Sequence, residues 1–309
     1  ATVFFAVSSK GISVIAQNPS LNEQGYYFIE KRIGEVYYRL HTRTSDRADQ
    51  DFVCKTLADG FIEKAGVQQI GLAAKTTLKT YRLAISTTGE YTQYHGGEVA
   101  DALAAVNARV NAIFGRDLGV QLQLIENTTN VIFTDPLTDP YGDSLNSEIQ
   151  TILTTNIGEA NYDVGHLFHK ASNNGNAGFV GSVCKDGKKG SAFSSGQFPE
   201  GDIFDIDFVI HELGHQFGAN HSWSYESEGT NVQVEPGSGS TIMSYAGIVT
   251  GENVAANASD YFHAVSIIQM ATYLSEFACG NVVFTSNESP VITPLLAYNL
   301  PLATPFLLN

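Results

Sequence analysis

The sequence predicts a mixed α/β fold preceded by a small β-rich unit, and three observations lead to this prediction. Residues 1 to about 75 alternate short apolar and polar stretches between turn residues, a pattern typical of antiparallel strands. Residues 76–280 alternate strand-like runs with segments of helical periodicity. Residues 281–309 are rich in proline, which indicates a linker or the start of a truncated C-terminal module. We therefore expect three segments with these bounds.

Strand and helix signals follow one another through the α/β segment. TYRLAIS alternates as a strand, and apolar residues at steps of four and three from Val99 to Ile113 then predict an amphipathic helix. VQLQLIE and VIF are predicted strands, Leu145 to Ile152 predict a second helix, and YDVGHLFH predicts a further strand. IFDIDFVIHELGHQF is apolar on most sides, as expected of a buried helix, and residues 259–278 support one more.

Charge and hydropathy exclude several classes of partner. The chain has 309 residues with 17 basic and 32 acidic side chains, so its net charge of -15 would repel phosphate backbones. The mean hydropathy is -0.05, and no apolar run approaches the roughly 20 residues that span a bilayer. We expect no nucleic-acid partner and no membrane association, and we expect a monomer.

The stretch HELGHQFGANH, residues 211–221, predicts a catalytic zinc site. His211 and His215 are four residues apart and share one helix face, and a turn at Gly218 can bring His221 back as a third ligand. Three imidazoles leave the fourth zinc position open for a water, and Glu212 lies beside them to take its proton. This is chemistry for peptide hydrolysis. Chance grouping of core or capping histidines is a poor alternative, because histidine makes up only 8 of 309 residues.

The chain resembles the metzincin zinc metalloproteases. HELGHQFGANH fits their zinc signature at every fixed position, and STIMSYAG, with Met243, fits their Met-turn. The order of elements over residues 78 to 280 is most similar to reprolysin-like bacterial enzymes. The resemblance implies a metzincin catalytic domain: a mixed twisted sheet, two long helices, a zinc-binding helix and an irregular C-terminal subdomain. Ser222 departs from the eukaryotic reprolysin pattern, which has aspartate after the third histidine.

The resemblance also implies roles for residues around the zinc signature. Tyr245 matches the astacin and serralysin pattern, in which this tyrosine stabilises the oxyanion or binds the resting metal; a core aromatic beneath the site is the alternative. GFVGSVC, residues 178–184, corresponds to the edge strand that binds substrate antiparallel, and an ordinary paired strand is the alternative. The residues predicted to form this substrate edge are Gly178, Phe179, Val180 and Gly181.

The three cysteines receive different predictions. Reprolysin-like enzymes link regions comparable to those of Cys184 and Cys279, so we expect a disulfide between them; two buried thiols are the alternative. Cys54 lies upstream of the catalytic segment, and latent metzincins keep a propeptide cysteine on the metal. We therefore predict that residues 1–75 are a propeptide that inhibits its own enzyme through Cys54 on zinc. A buried core cysteine or a stray thiol remains the alternative. Cleavage near Lys75 or Lys79 would release the inhibition.

Other polar groups have weaker signals. His166 and His169 lie three apart on a predicted strand and point to opposite faces, so we expect structural roles. The evenly spaced Asp135, Asp139 and Asp143 could bind Ca²⁺, although the spacing does not match an EF-hand and a solvated turn is the alternative.

The sequence therefore predicts a secreted, extracellular zinc metalloendopeptidase in latent form that hydrolyses protein or peptide substrates. Glu212 is the predicted general base, which later gives the proton to the leaving amine. Two alternatives remain: a catalytically silent zinc-containing binding module, and a zinc amidase that acts on a non-protein substrate.

Overall fold

Two β-sheets and five α-helices make up the part of the chain that the computed structural model describes, namely residues 2–8, 11–17, 26–30, 37–41, 52–58 and 77–287. The first four strands form an antiparallel sheet in sequence order, with Phe4 opposite Ile15 and Ile15 opposite Phe28. These strands are β1 (Thr2–Ser8), β2 (Gly11–Gln17), β3 (Tyr26–Glu30) and β4 (Arg39–His41).

The remaining strands form a larger seven-stranded sheet. They are β5 (Val53–Cys54), β6 (Thr77–Thr87), β7 (Val120–Leu124), β8 (Val164–His169), β9 (Asn174–Asn176), β10 (Ala192–Ser195) and β11 (Asn281–Phe284). β7, β6, β8 and β10 are neighbours in this order and run parallel, while β9 is antiparallel to β10. β5 then adds to β9 in a parallel direction, so this strand of the predicted propeptide belongs to the larger sheet.

Four of the five helices, α2 to α5 below, lie where the apolar spacing predicts them, whereas the short α1 was not predicted. The five helices are α1 (Gly89–Tyr94), α2 (Ala100–Leu118), α3 (Leu145–Asn156), α4 (His211–Gln216) and α5 (Ala264–Glu276). In α2 the predicted stripe is buried, and the helix ends where Gly119 takes a left-handed conformation with φ 62°. The predicted buried helix has a π-helical first half, Ile203–Ile210, which continues directly into α4.

The main core lies between α2, the larger sheet and the π-helical segment. Ile15 and Phe28 of the first sheet are buried in this same core, and the Arg109 guanidinium of α2 lies 5.5 Å from the centre of the Phe28 ring. The mixed α/β architecture confirms the predicted fold class. No helix of the described residues is long and apolar enough to cross a membrane.

The structure contradicts two predictions, the position of the substrate edge strand and cleavage near Lys79. The substrate edge predicted at Gly178, Phe179, Val180 and Gly181 is not a strand: these residues form bends, and within residues 77–287 the outermost strand on this side of the sheet is β9, which β5 covers. Gly178 and Gly181 have φ of 73° and 71°, a left-handed conformation that cannot continue an extended strand. The NGN sequence of β9 is polar and has no alternation that would have revealed it.

Cleavage predicted near Lys79 also conflicts with the structure. Lys79 lies within β6 and is paired on one side with Val120 and on the other with Val282. A protease needs an extended, unpaired backbone, so it cannot bind here while the sheet is folded. Lys75 and the predicted boundary near residue 75 lie outside the described residues.

Candidate metal centre

The π-helical segment and α4 bring the first two histidines of the cluster together. His211 and His215 lie on one face of this helix, with their ring centres 4.9 Å apart. At Gly218 the backbone takes a φ of 106°, and a Cβ there would lie 2.8 Å from the Cβ of Tyr273. Only glycine fits this turn, which returns the chain so that the ring of His221 lies 4.6 Å from that of His215.

Hydrogen bonds fix the orientation of all three imidazoles. Nδ1 of His211 lies 2.7 Å from the carbonyl oxygen of Ile242, and Nδ1 of His215 lies 2.7 Å from that of Ala219. A carbonyl oxygen can only accept, so in both rings Nδ1 carries the proton and Nε2 keeps its lone pair. Nδ1 of His221 points to a carboxylate, that of Glu228. The rings of His211 and His215 therefore present an unprotonated Nε2, and the contact with Glu228 turns Nε2 of His221 toward that of His215.

These Nε2 atoms face one another in a way that suits a metal ion. Nε2 of His215 and Nε2 of His221 lie 3.1 Å apart, although both are acceptors when Nδ1 carries the proton. Nε2 of His211 is buried and has no hydrogen-bond partner among the described residues. Burial lowers the pKa of His211 to about 3, and it also lowers the pKa of His215 well below its usual value. The rings of His211 and His215 are thus neutral, the form that ligates a metal.

Cys54 completes this group. Its Sγ lies 3.6 Å from Nε2 of His215, and the four candidate ligand atoms of Cys54, His211, His215 and His221 all lie within 4.8 Å of one another. Three imidazole nitrogens and one sulfur form a donor set that zinc prefers. Burial raises the pKa of the Cys54 thiol, and the nearby Glu212 raises it further. The residues present therefore fit a zinc ion, whose charge would favour the thiolate.

Cys54 reaches this position because residues 52–58, here called the cleft segment, run along β9. Cys54 pairs with Gly175, and the Lys55 N–H donates to the Gly175 carbonyl at 2.8 Å. The Phe52 ring stacks on Phe208 of the π-helical segment with centres 4.2 Å apart. Backbone pairing and this aromatic contact together hold the segment in the cleft.

Glu212 lies beside the metal ligands in a fully buried position. Its Oε2 accepts a hydrogen bond from the Thr56 hydroxyl at 2.8 Å. Burial raises the pKa of Glu212 to about 8, against the hydrogen bonds from Thr56 and Cys54, which lower it. A Cβ on Gly175 would lie 2.4 Å from Oε1 of Glu212, so the edge strand can approach this carboxylate only with glycine at that position.

Comparison with known families agrees with this geometry. The family model of the M12B reprolysin-like metallopeptidases matches residues 77–274, which is more than half of the chain and includes all three histidines. The chain belongs to this family. A search of curated proteins finds no matching relative. Family membership makes the protein a metallopeptidase, and the histidine cluster fits the zinc that such enzymes use.

The predicted Met-turn of this reprolysin-like metallopeptidase lies against the zinc-binding helix. Met243 is fully buried, and a Cβ on Gly214 would lie 2.4 Å from its Sδ. The Ser222 N–H donates to the Met243 carbonyl at 3.0 Å, which ties the chain after the third histidine to this turn. The close contact requires glycine at position 214.

Tyr245 lies beside the cluster. Its ring packs edge-on against His221 at 4.6 Å and stacks on Trp223 at 4.5 Å. The side chain is half-buried. Burial raises the pKa of Tyr245 above its usual range, and the neighbouring Cys54 contributes through its charge and a hydrogen bond. The hydroxyl therefore stays protonated and can act as a donor.

The other predicted positions lie apart from the metal cluster. Cys184 and Cys279 form the expected disulfide, with Cα atoms 5.6 Å apart. His166 lies in β8 between Gln216 and Ser194, and His169 contacts the Thr88 hydroxyl, as expected of structural residues. The carboxylates expected to offer a Ca²⁺ site do not converge among the described residues, and Asp135 and Asp139 instead accept local backbone hydrogen bonds.

Sequence reasoning missed two residues of this site. Glu228 lies in an irregular loop, and no sequence periodicity there predicts its contact with His221. Thr56 had a usable signal, because side chains two apart in an extended segment share one face, and Cys54 was already predicted to face the metal. Glu228 forms a hydrogen bond with His221, and Thr56 forms one with Glu212.

Proposed function

We propose that this protein is a secreted zinc endopeptidase of the metzincin type, which is kept latent by Cys54 on the zinc. The observation that carries the proposal is the convergence of Cys54 with His211, His215 and His221. The thiol fills the position that a catalytic zinc site leaves for water. Residues 1–75 then act as a propeptide, and the described sequence is a zymogen.

Zinc held by the three histidines would supply a Lewis acid that polarises the substrate carbonyl and activates a water. Glu212 accepts the proton of that water and passes it to the amine that leaves. Its burial and raised pKa support both steps, since the carboxyl can hold a proton near neutral pH. Tyr245 is placed to donate a hydrogen bond to the oxygen that gains charge.

Protein or peptide substrates would bind along β9. The carbonyls of Asn173 and Gly175 already accept hydrogen bonds from the backbone of the cleft segment, which shows that this edge can pair with an extended chain. A substrate needs the same backbone groups, so it and the cleft segment exclude each other. Release of the segment would therefore open both the metal and the substrate edge.

Replacing the metal by cobalt tests the proposal directly. The uncut chain loaded with Co²⁺ should show a thiolate-to-cobalt charge-transfer band that Cys54→Ala lacks. Removal of the propeptide by limited proteolysis should abolish the band and start hydrolysis of a protein substrate such as casein. A band that is equal in the parent and in Cys54→Ala would contradict the thiol as a ligand.

Controls separate the remaining alternatives. A silent zinc module would bind one metal per chain without hydrolysing any substrate after the cut. A zinc amidase would hydrolyse non-protein amides while leaving casein and a peptide library intact. Hydrolysis of peptide bonds in the cut chain, lost on chelation and restored by zinc, is the expected result.

A further inference from the structure

The cleft segment makes two contacts with the catalytic centre. Cys54 contacts His215, and Thr56 forms a hydrogen bond with the predicted general base, Glu212. The Thr56 hydroxyl donates to Oε2 of Glu212 at 2.8 Å and accepts the N–H of Ala177 at 2.7 Å. The side chain is 6% exposed, so water does not compete for these bonds. Thr56 therefore links the cleft segment to the base and to the chain that follows the edge strand.

The spacing of Cys54 and Thr56 explains how one segment reaches both groups. The two residues are separated by one position in an extended segment, and both side chains face α4, where Cys54 meets His215 and Thr56 meets Glu212. Lys55 between them uses its backbone N–H to pair with Gly175. The sulfur and the hydroxyl are thus placed on neighbouring parts of the catalytic centre.

The two contacts differ in what they depend on. Binding of the Cys54 thiolate depends on the metal, whereas the Thr56 hydrogen bonds need only Glu212 and the backbone of Ala177. The Thr56 hydrogen bond occupies Oε2, one of the two oxygens of Glu212 that could accept a proton from water, and holds the cleft segment over the carboxyl group.

We propose that Thr56 is a second latch, which keeps the cleft segment on Glu212 when the bond between Cys54 and the metal is broken. This inference rests on the proposed latency of the enzyme and adds a regulatory contact to it. It implies that loss of the metal or of the thiol alone opens the cleft only in part. Full opening requires removal of the segment or loss of both contacts.

Amide hydrogen exchange in the uncut chain tests the latch without any activity. After metal removal with a chelator, the Ala177 amide should remain protected in the parent. In Thr56→Val, which keeps the β-branched shape of threonine but lacks its hydroxyl, this amide should exchange at least about ten-fold faster. Thr56→Ser keeps the hydroxyl, so its Ala177 amide should be protected as it is in the parent. Amides of β10, such as that of Phe193, serve as the internal control for folding.

Residual activity of the uncut zinc-loaded chains gives the second measurement. Cys54→Ala and Thr56→Val should each hydrolyse a peptide only weakly, and the double variant should be at least about ten-fold more active than either. After complete removal of the propeptide, Thr56→Val and the parent yield the same polypeptide and should be equally active.

Ala177 exchange that is identical in Thr56→Val and the parent, or full activity of uncut Cys54→Ala, would overturn the proposal. If the cut parent hydrolyses nothing, the proposed function fails, while the exchange measurement still decides about Thr56.

Discussion

The two carboxylate oxygens of Glu228 lie 2.9 and 3.0 Å from Nδ1 of His221, seven residues earlier in the chain. The imidazole Nδ1–H donates to this carboxylate, which orients the ring and turns its Nε2 toward that of His215. The other two histidines use backbone carbonyls for the same purpose. Among the three histidines, His221 is therefore the one whose orientation depends on a replaceable side chain.

Substitution of Glu228 should weaken metal binding without removing a ligand. Glu228→Ala takes away the acceptor that orients His221, so we expect zinc affinity to fall about 10-fold to 100-fold, measured by competition with a chromophoric chelator. Glu226→Gln, an exposed acidic residue of the same loop, is the matched control and should bind zinc as the parent does. Unchanged affinity in Glu228→Ala would show that the backbone alone orients His221.

Glu212→Ala should separate metal binding from catalysis. The three histidines remain, so the cut enzyme should keep its zinc, but peptide hydrolysis should fall by several orders of magnitude because the proton acceptor is gone. Zinc content by mass spectrometry and initial rates on one peptide measure both effects. Substantial activity in this variant would mean that another group removes the proton.

Tyr245→Phe should lower the rate of the chemical step. The hydroxyl is proposed to stabilise the oxyanion, so kcat of the cut enzyme should fall about 100-fold while KM and zinc content stay the same. Tyr225→Phe is the control, because Tyr225 also lies near Trp223 but is half exposed. A change in KM alone would instead indicate a role in substrate binding.

Local patterns were sufficient for α2 to α5 and for the histidine cluster, because periodicity and the HELGHQFGANH spacing lie within one stretch of chain. The edge strand was misplaced because β9 is three polar residues whose strand form comes from pairing with β10. The contact of Glu228 with His221 depends on the path of an irregular loop, and that of Thr56 with Glu212 joins residues 156 positions apart. Such contacts are set by tertiary packing, which periodicity does not encode.

Removal of the Cys184–Cys279 disulfide should destabilise the catalytic part of the chain. The bridge closes a loop of 95 residues that contains all three histidines of the metal centre. In the entropic model, Cys184→Ala with Cys279→Ala lowers the free energy of unfolding by roughly 4.7 kcal/mol, measured by urea unfolding. Two alkylatable thiols at these positions in the unreduced parent would show that the bridge does not form in solution.

His166 should make folding stability depend on pH. Burial lowers the pKa of His166 to about 4, and its ring contacts Gln216, Ser194 and Phe168, none of which is charged. The unfolded chain binds a proton at this histidine below its ordinary pKa of about 6.5, whereas the folded chain does so only near 4. Between these values the unfolded state holds more protons, so stability is fully present above about pH 6.5 and is lost as the pH falls toward 4.

The expected loss for His166 across this window is on the order of 3 kcal/mol. His166→Gln keeps a polar side chain of similar reach but cannot titrate, so urea unfolding at pH 7 and pH 5 should show a smaller pH dependence than in the parent. Comparing the two proteins cancels the contribution of the other groups that titrate over the same range. Equal pH dependence in both would mean that His166 is protonated in the folded protein and that the core adapts to its charge.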